Sequence, residues 1–167
     1  LKVYEVSIES FASMLAAKPN NDFEDARNFA RHLRNHYPDI FMFEIAIRIS
    51  HSERGDLEKY MQNLATRILS CTLFPMVRIE KNYPQQVKNF YYPFVLIEPE
   101  LENSKGVLGR ALSEGNSVLS KGLEKSFNLN TNVASRPFFL MEGIYGYVLY
   151  REVNVNDEYY RDSFTSR

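Results

Sequence analysis

Along the first fifteen positions the apolar residues Leu1, Tyr4, Ile8, Phe11 and Leu15 recur at alternating spacings of three and four. That is the seam of an amphipathic helix, and it serves equally a helix packed on its own domain or one paired with a second copy. After the break KPNND, with Pro19, the segment DFEDARNFARHLRNHY repeats the stripe with Phe23, Ala26, Ala30, Leu33 and Tyr37. A second helix is expected there, capped by Asn21 with Glu24 as its reciprocal partner and ended by Pro38.

The period then changes. FMFEIAIRI alternates, with Phe41, Phe43, Ile45, Ile47 and Ile49 on one face and Met42, Glu44, Ala46 and Arg48 on the other, which predicts a strand. Ser50 and Glu53 form a capping box for a third helix with the stripe Leu57, Tyr60 or Met61, Leu64 and Ile68. LFPMVRIE, FYYPFVLIEP and GVLGRAL read as further strands, with Pro75 and Pro93 marking edges or bulges. A short helix is expected over Ser113 to Phe127, and the asparagine-rich residues up to Asn132 read as a loop. Finally SRPFFL and IYGYVLYREV are separated only by Met141, Glu142 and Gly143, so they are expected to pair as an antiparallel hairpin. Helices followed by a mostly antiparallel sheet with flanking helices make an α+β fold.

Composition narrows the function classes. At 167 residues, 44% hydrophobic and 25% charged, the chain is expected to form an ordinary globular core. Twenty Lys and Arg against 21 Asp and Glu leave a formal net charge of -1, without the footprint of a nucleic-acid binder. Cys71 is the single cysteine, which rules out an intrachain disulfide framework. No apolar run reaches the length of a membrane span. Because the sequence starts at Leu1 rather than Met, it is read as a segment of a longer protein.

Candidate chemistry is sparse. GxxxxGK[ST], GxSxG, HExxH and paired-cysteine motifs are all missing, so no catalytic residue, metal site or cofactor is assigned. His32 and His36 share a helix face but lack a third ligand, and His51 reads as a solvated residue near a helix start. Glu98, Glu100 and Glu102 read as a solvated edge that blocks aggregation. What stands out is the aromatic sheet. Tyr92 and Phe94 share one strand face, Phe138 and Leu140 another, and Tyr145, Tyr147 and Leu149 a third. These faces line either a core or an apolar pocket, to which Ser135, Arg136, Arg110 and Asn116 would add polar groups.

The blocks SERGDLEKYM, YYPFVLIEP, VLGRAL and SRPFFLMEGIYGYVLYREV resemble, in order and spacing, the CHASE domain, the extracytoplasmic sensor module of receptor kinases and diguanylate cyclases. The matching positions are Glu53 and Arg54, Tyr91 to Pro93, Leu108 to Leu112, and Ser135 to Phe138. The resemblance implies a PAS-like sheet and a long N-terminal helix rising from a membrane. Residues 1–37 are then a helical stalk, 38–153 the ligand-sensing domain and 154–167 a tail toward the membrane. It also implies a small ligand held by Tyr92, Phe94, Ala111, Ser135, Phe138 and Tyr147, with Ser135 as the hydrogen-bonding group. The acidic position that faces the adenine ring in plant cytokinin receptors falls on Ala111, which argues against a cytokinin-like purine.

The function expected is therefore a non-enzymatic, periplasmic or extracytoplasmic sensor of a transmembrane receptor. It would form a homodimer through the N-terminal helix and be coupled to a cytoplasmic output domain. The alternative is a dimerisation or interaction module whose aromatic faces form a dry core.

Overall fold

The computed structural model describes residues 2–17, 23–60, 89–101, 108–109, 117–140 and 143–154. Expectations for Asn21, Met61 to Ile68, LFPMVRIE, Glu102, Arg110, Ala111 and Asn116 lie outside these residues. Within them the chain is α+β, with four helices and short antiparallel strand pairs.

Helix α1, Lys2–Ala17, buries Ser7, Phe11, Ala12 and Leu15, and α2, Phe23–His36, buries Ala26, Ala30 and Leu33. Both inward stripes follow the expected helical spacing. Buried Ser7 is satisfied locally, its hydroxyl donating to the Val3 carbonyl at 2.9 Å. The alanines of α2 let it lie close to its neighbours, and Phe11, Leu15, Ala26, Ala30 and Leu33 share one core with Phe43 and Leu96 of the sheet. Phe11 and Leu15 of the α1 seam thus face their own domain.

Strand β1, Phe43–Ala46, is followed by β2, Ile49–Ser50; β3, Phe90–Tyr91, pairs with β2, and β4, Phe94–Glu98, pairs with β1, both antiparallel. The single strand expected over 41–49 is therefore split. The paired segment explains why: Pro93, between β3 and β4, has no N–H to give to the ladder, and Ile47 N instead donates to the Pro93 carbonyl at 3.1 Å. Every residue of β4 is buried, which makes this strand the centre of the packing.

Glu53 caps the next helix as the sequence predicts, accepting from Ser50 N at 2.8 Å and from the Ser50 hydroxyl at 2.6 Å. The helix that follows, α3, spans residues 54–60 of the described chain, and its Leu57 packs with Ile49, Tyr91 and Val95. Leu108 and Gly109, expected in a strand, form a turn, with Gly109 at φ 79° and its N–H donating to the Phe94 carbonyl at 2.8 Å. Only glycine takes that backbone angle without strain.

Helix α4, Ser117–Leu129, ends later than expected and leads through Asn130 into β5, Val133–Ala134. The closing hairpin forms as predicted, but as two pairs: β6, Phe138–Phe139, with β7, Tyr145–Gly146, and β5 with β8, Leu149–Tyr150. The register slips by one residue between the pairs, from Ala134↔Leu149 to Phe138↔Gly146. Pro137 lies in the gap and cannot donate to a ladder, so the extra residue is accommodated there as a bulge.

Candidate functional site

Where β4, β8 and α4 meet, the described residues place one group of aromatic side chains. Phe94 and Tyr150 are buried there, and Ala46, Tyr92, Leu119, Leu123 and Val148 pack against them. Tyr92 and Phe94 point the same way because they are two apart, and the Tyr92 ring lies 5.3 Å from that of Phe127 on α4. Gly122 brings α4 onto β8 so closely that a Cβ at that position would collide with the Tyr150 ring.

Tyr150 is the unusual member. Its hydroxyl is buried and, among the described residues, has no hydrogen-bond partner. Burial pushes its pKa well above the ordinary phenol value, and the charge of Glu44 pushes it further. A phenol left dry and unpaired costs about 1–3 kcal/mol. Such a group is a ready partner for a polar atom brought by a ligand.

Of the residues read from the sequence, Tyr92 and Phe94 belong to this cluster. Ala111 lies outside the described residues. Ser135 is engaged with the hairpin: its N–H donates to the Val148 carbonyl at 2.8 Å, while its hydroxyl accepts Val148 N–H at 2.9 Å and donates to the Arg136 carbonyl at 2.9 Å. The side chain thus takes the place that a backbone carbonyl holds in a regular ladder, and its one donor is committed. Phe138 is half-buried on β6, outside the Tyr150 cluster. Tyr147 is exposed, its ring 6.5 Å from Tyr4. The part of its ring that α1 covers, with the charges of Tyr4 and Glu5, raises the Tyr147 pKa. The inward face of the closing strand is therefore Val148 and Tyr150, not Tyr145, Tyr147 and Leu149. Parity could have found Tyr150, because it shares a strand face with Val148, opposite to Tyr145 and Tyr147.

A second constellation joins two blocks far apart in sequence. The Arg54 guanidinium lies 5.2 Å from the centre of the Tyr91 ring and donates to Glu58 at 2.7 Å, and the Tyr91 hydroxyl lies 3.0 Å from His51 Nδ1. Burial lowers the Arg54 pKa, but hydrogen bonds to Glu58 and Tyr91 outweigh it and the net direction is upward. These contacts fix β3 to α3, and His51 is a structural partner of Tyr91 rather than a purely solvated residue.

The acidic edge is corrected as well. Glu98 is buried and held by α2, with Arg27 Nη1 at 3.5 Å and Arg31 Nε at 3.3 Å, and Glu100 pairs with Arg27 Nη2 at 2.8 Å. These carboxylates join a helix to the central strand, which is a packing role and not a solvated one. Among the described residues no group of three or more His, Cys, Asp or Glu is placed to hold a metal, and no helix is long and apolar enough to cross a membrane. Comparison with protein-family models, curated proteins and solved structures returns no match.

Proposed function

We propose that the chain is a non-catalytic ligand-sensing domain in which a small molecule is held where β4, β8 and α4 meet. The observation that carries this reading is the buried hydroxyl of Tyr150, which has no hydrogen-bond partner among the described residues and lies among aromatic and aliphatic side chains. Tyr92 and Phe94 form the walls, and Tyr150 supplies the hydrogen bond that orients the ligand. Ser135 acts indirectly, by holding Val148 in line. The ligand is mostly apolar and carries one polar group complementary to a phenol.

The wider reading is that of an extracytoplasmic, PAS-like sensor in a receptor whose output domain lies across a membrane, and it rests on the resemblance of the sequence blocks. It gains support from the meeting of those blocks in space: Arg54 over Tyr91, and Gly109 against Phe94. Signalling requires that the ligand bind two states unequally, and α4, seated on Tyr150 through Gly122, is the element placed to differ between them.

The test is a thermal-shift titration of the protein against nucleobases, amino acids, polyamines, organic acids and aromatic acids. A binder stabilises the native state by about 2.7 kcal/mol at a hundredfold excess over its dissociation constant. The reading predicts a dose-dependent rise that Tyr150→Phe reduces and Tyr147→Phe does not. A rise equally present in Tyr150→Phe would place the site elsewhere, and no rise across the panel would leave the aromatic faces as core.

A further inference from the structure

The closing hairpin and the outer side of α1 carry large apolar side chains in the open. Phe139 is 67% exposed, Tyr145 74%, Tyr147 41% and Ile144 39%, and on α1 Val3 is 48% and Val6 60% exposed. They form one surface. Phe139 and Tyr145 are cross-strand partners with ring centres 6.5 Å apart, so they point to the same side, and Tyr147 follows two residues on. The Tyr147 ring meets Tyr4 at 6.5 Å, which brings the Val3 and Val6 turn of α1 alongside.

We propose that this face is an interface with a second copy of the chain. Area is the first argument. With an aromatic side chain presenting ~150–250 Å², the six exposed side chains together leave on the order of 600 Å² open. That is at the upper end of the ~300–600 Å² of a monomer's largest patch and close to the ~800 Å² each partner contributes to a stable complex. Charge is the second argument. The rim carries both signs, with exposed Lys2 and Arg136 on one hand and Glu5, near Tyr147, on the other. A two-fold axis sets the patch against itself, so a mixed rim can pair opposite charges across the interface. Among the described residues this rim carries no cluster of cations such as an anionic membrane draws. The inner seam of α1 is already used, since Phe11 and Leu15 are buried in their own domain. The dimer therefore forms through the opposite side of that helix and the hairpin, not through the seam.

Sedimentation velocity over a concentration series, without ligand, tests this. Phe139→Glu and Tyr145→Glu change side chains that face solvent, so circular dichroism and the melting temperature of each variant should match the parent. The parent chain is expected to dimerise, and each variant to weaken the dimer by about thirtyfold, as loss of a hot-spot residue does. Lys121→Glu, on the exposed side of α4, should leave the dimer unchanged. A parent that stays monomeric throughout the series, a dimer indifferent to both hairpin variants, or a monomer that floats with phosphatidylserine vesicles would each overturn the proposal. None of these outcomes bears on the ligand site, which thermal shift reads separately.

Discussion

Gly122 of α4 and Tyr150 of β8 are in direct backbone-to-ring contact: a methyl group at position 122 would lie 3.0 Å from both Cδ2 and Cζ of the ring and would overlap Cε2. In an open helix, alanine would replace glycine with a gain of about 1 kcal/mol. Here the ring is buried beside Phe94, and forcing a methyl group against it costs about 1–3 kcal/mol. Gly122→Ala should therefore be net destabilising, by about 1 kcal/mol, in urea unfolding. A stabilised variant would mean that α4 and β8 sit farther apart.

The same cluster makes an unusual prediction for Tyr150→Phe. Removing a hydroxyl that has a partner lowers stability, but this one is buried without one among the described residues. Its removal should leave the ligand-free protein as stable as before or more stable by up to about 1 kcal/mol. If unfolding shows a loss above about 1 kcal/mol, the hydroxyl is bonded in solution and the ligand reading loses its main support.

Alkaline pH offers an independent check on that burial. The Tyr150 phenol is held above its ordinary value near 10, by burial first and Glu44 second. Below pH 10 both folded and unfolded chains keep the proton and stability is complete. As pH rises past 10 the unfolded chain loses the proton that the folded chain retains, so stability falls, by about 1.4 kcal/mol per pH unit for one fully protected group. Tyr147 shifts in the same direction in parent and variant alike and cancels in the comparison. The stability gap between Tyr150→Phe and the parent should widen from about pH 9 to about pH 11. A constant gap would show that the phenol titrates normally.

Much of the fold was legible in local periodicity and little of the site was. Ala26, Ala30 and Leu33 are one helical stripe, and the Ser50 to Glu53 cap and the closing hairpin follow from neighbours in sequence. The errors arose where one residue broke the pattern. Pro93 split a strand that alternated cleanly, and Pro137 shifted the hairpin register by one. That step reversed the phase of the strand that carries Pro137, with Val133 buried and Phe139 exposed. Tyr145 and Tyr147 keep the face opposite to Tyr150 by plain alternation, so that local pattern alone left open which of the two faces is inward. Glu98 was misread for a different reason: a carboxylate near a strand end looks solvated until Arg27 and Arg31, some seventy positions earlier, are brought to it.

Ser135 provides a test of the hairpin itself. Its hydroxyl occupies the acceptor position for Val148 N–H, and alanine would leave that half-buried donor without its partner. Ser135→Ala should cost about 1 kcal/mol, and Ser135→Thr, which keeps the hydroxyl, should recover most of it. Hydrogen exchange gives the local readout: the Val148 amide should exchange faster in the alanine variant while Tyr150, paired with Val133, changes less. Unchanged protection at Val148 would mean that the amide is held by something else.

The strongest stability effect is expected at Glu98. Its side chain is 7% exposed and faces two guanidinium groups, with Arg27 20% and Arg31 49% exposed. Arg27 is held twice more, by Glu100 and by the Ile97 carbonyl at 3.2 Å, so it keeps partners when Glu98 is removed. Breaking a buried pair from one side costs about 3–5 kcal/mol because a charge is left unpaired, and the remaining partners place Glu98→Ala at the lower end, about 3 kcal/mol. Arg31→Ala should cost about 1 kcal/mol or less, since half of that side chain is already in water. A double-mutant cycle separates the contributions: Arg27 and Glu98 should couple more strongly than Arg31 and Glu98. Equal and small couplings would return Glu98 to the solvated edge first read from the sequence, and α2 would then be held to β4 by the Ala26, Ala30 and Leu33 stripe alone.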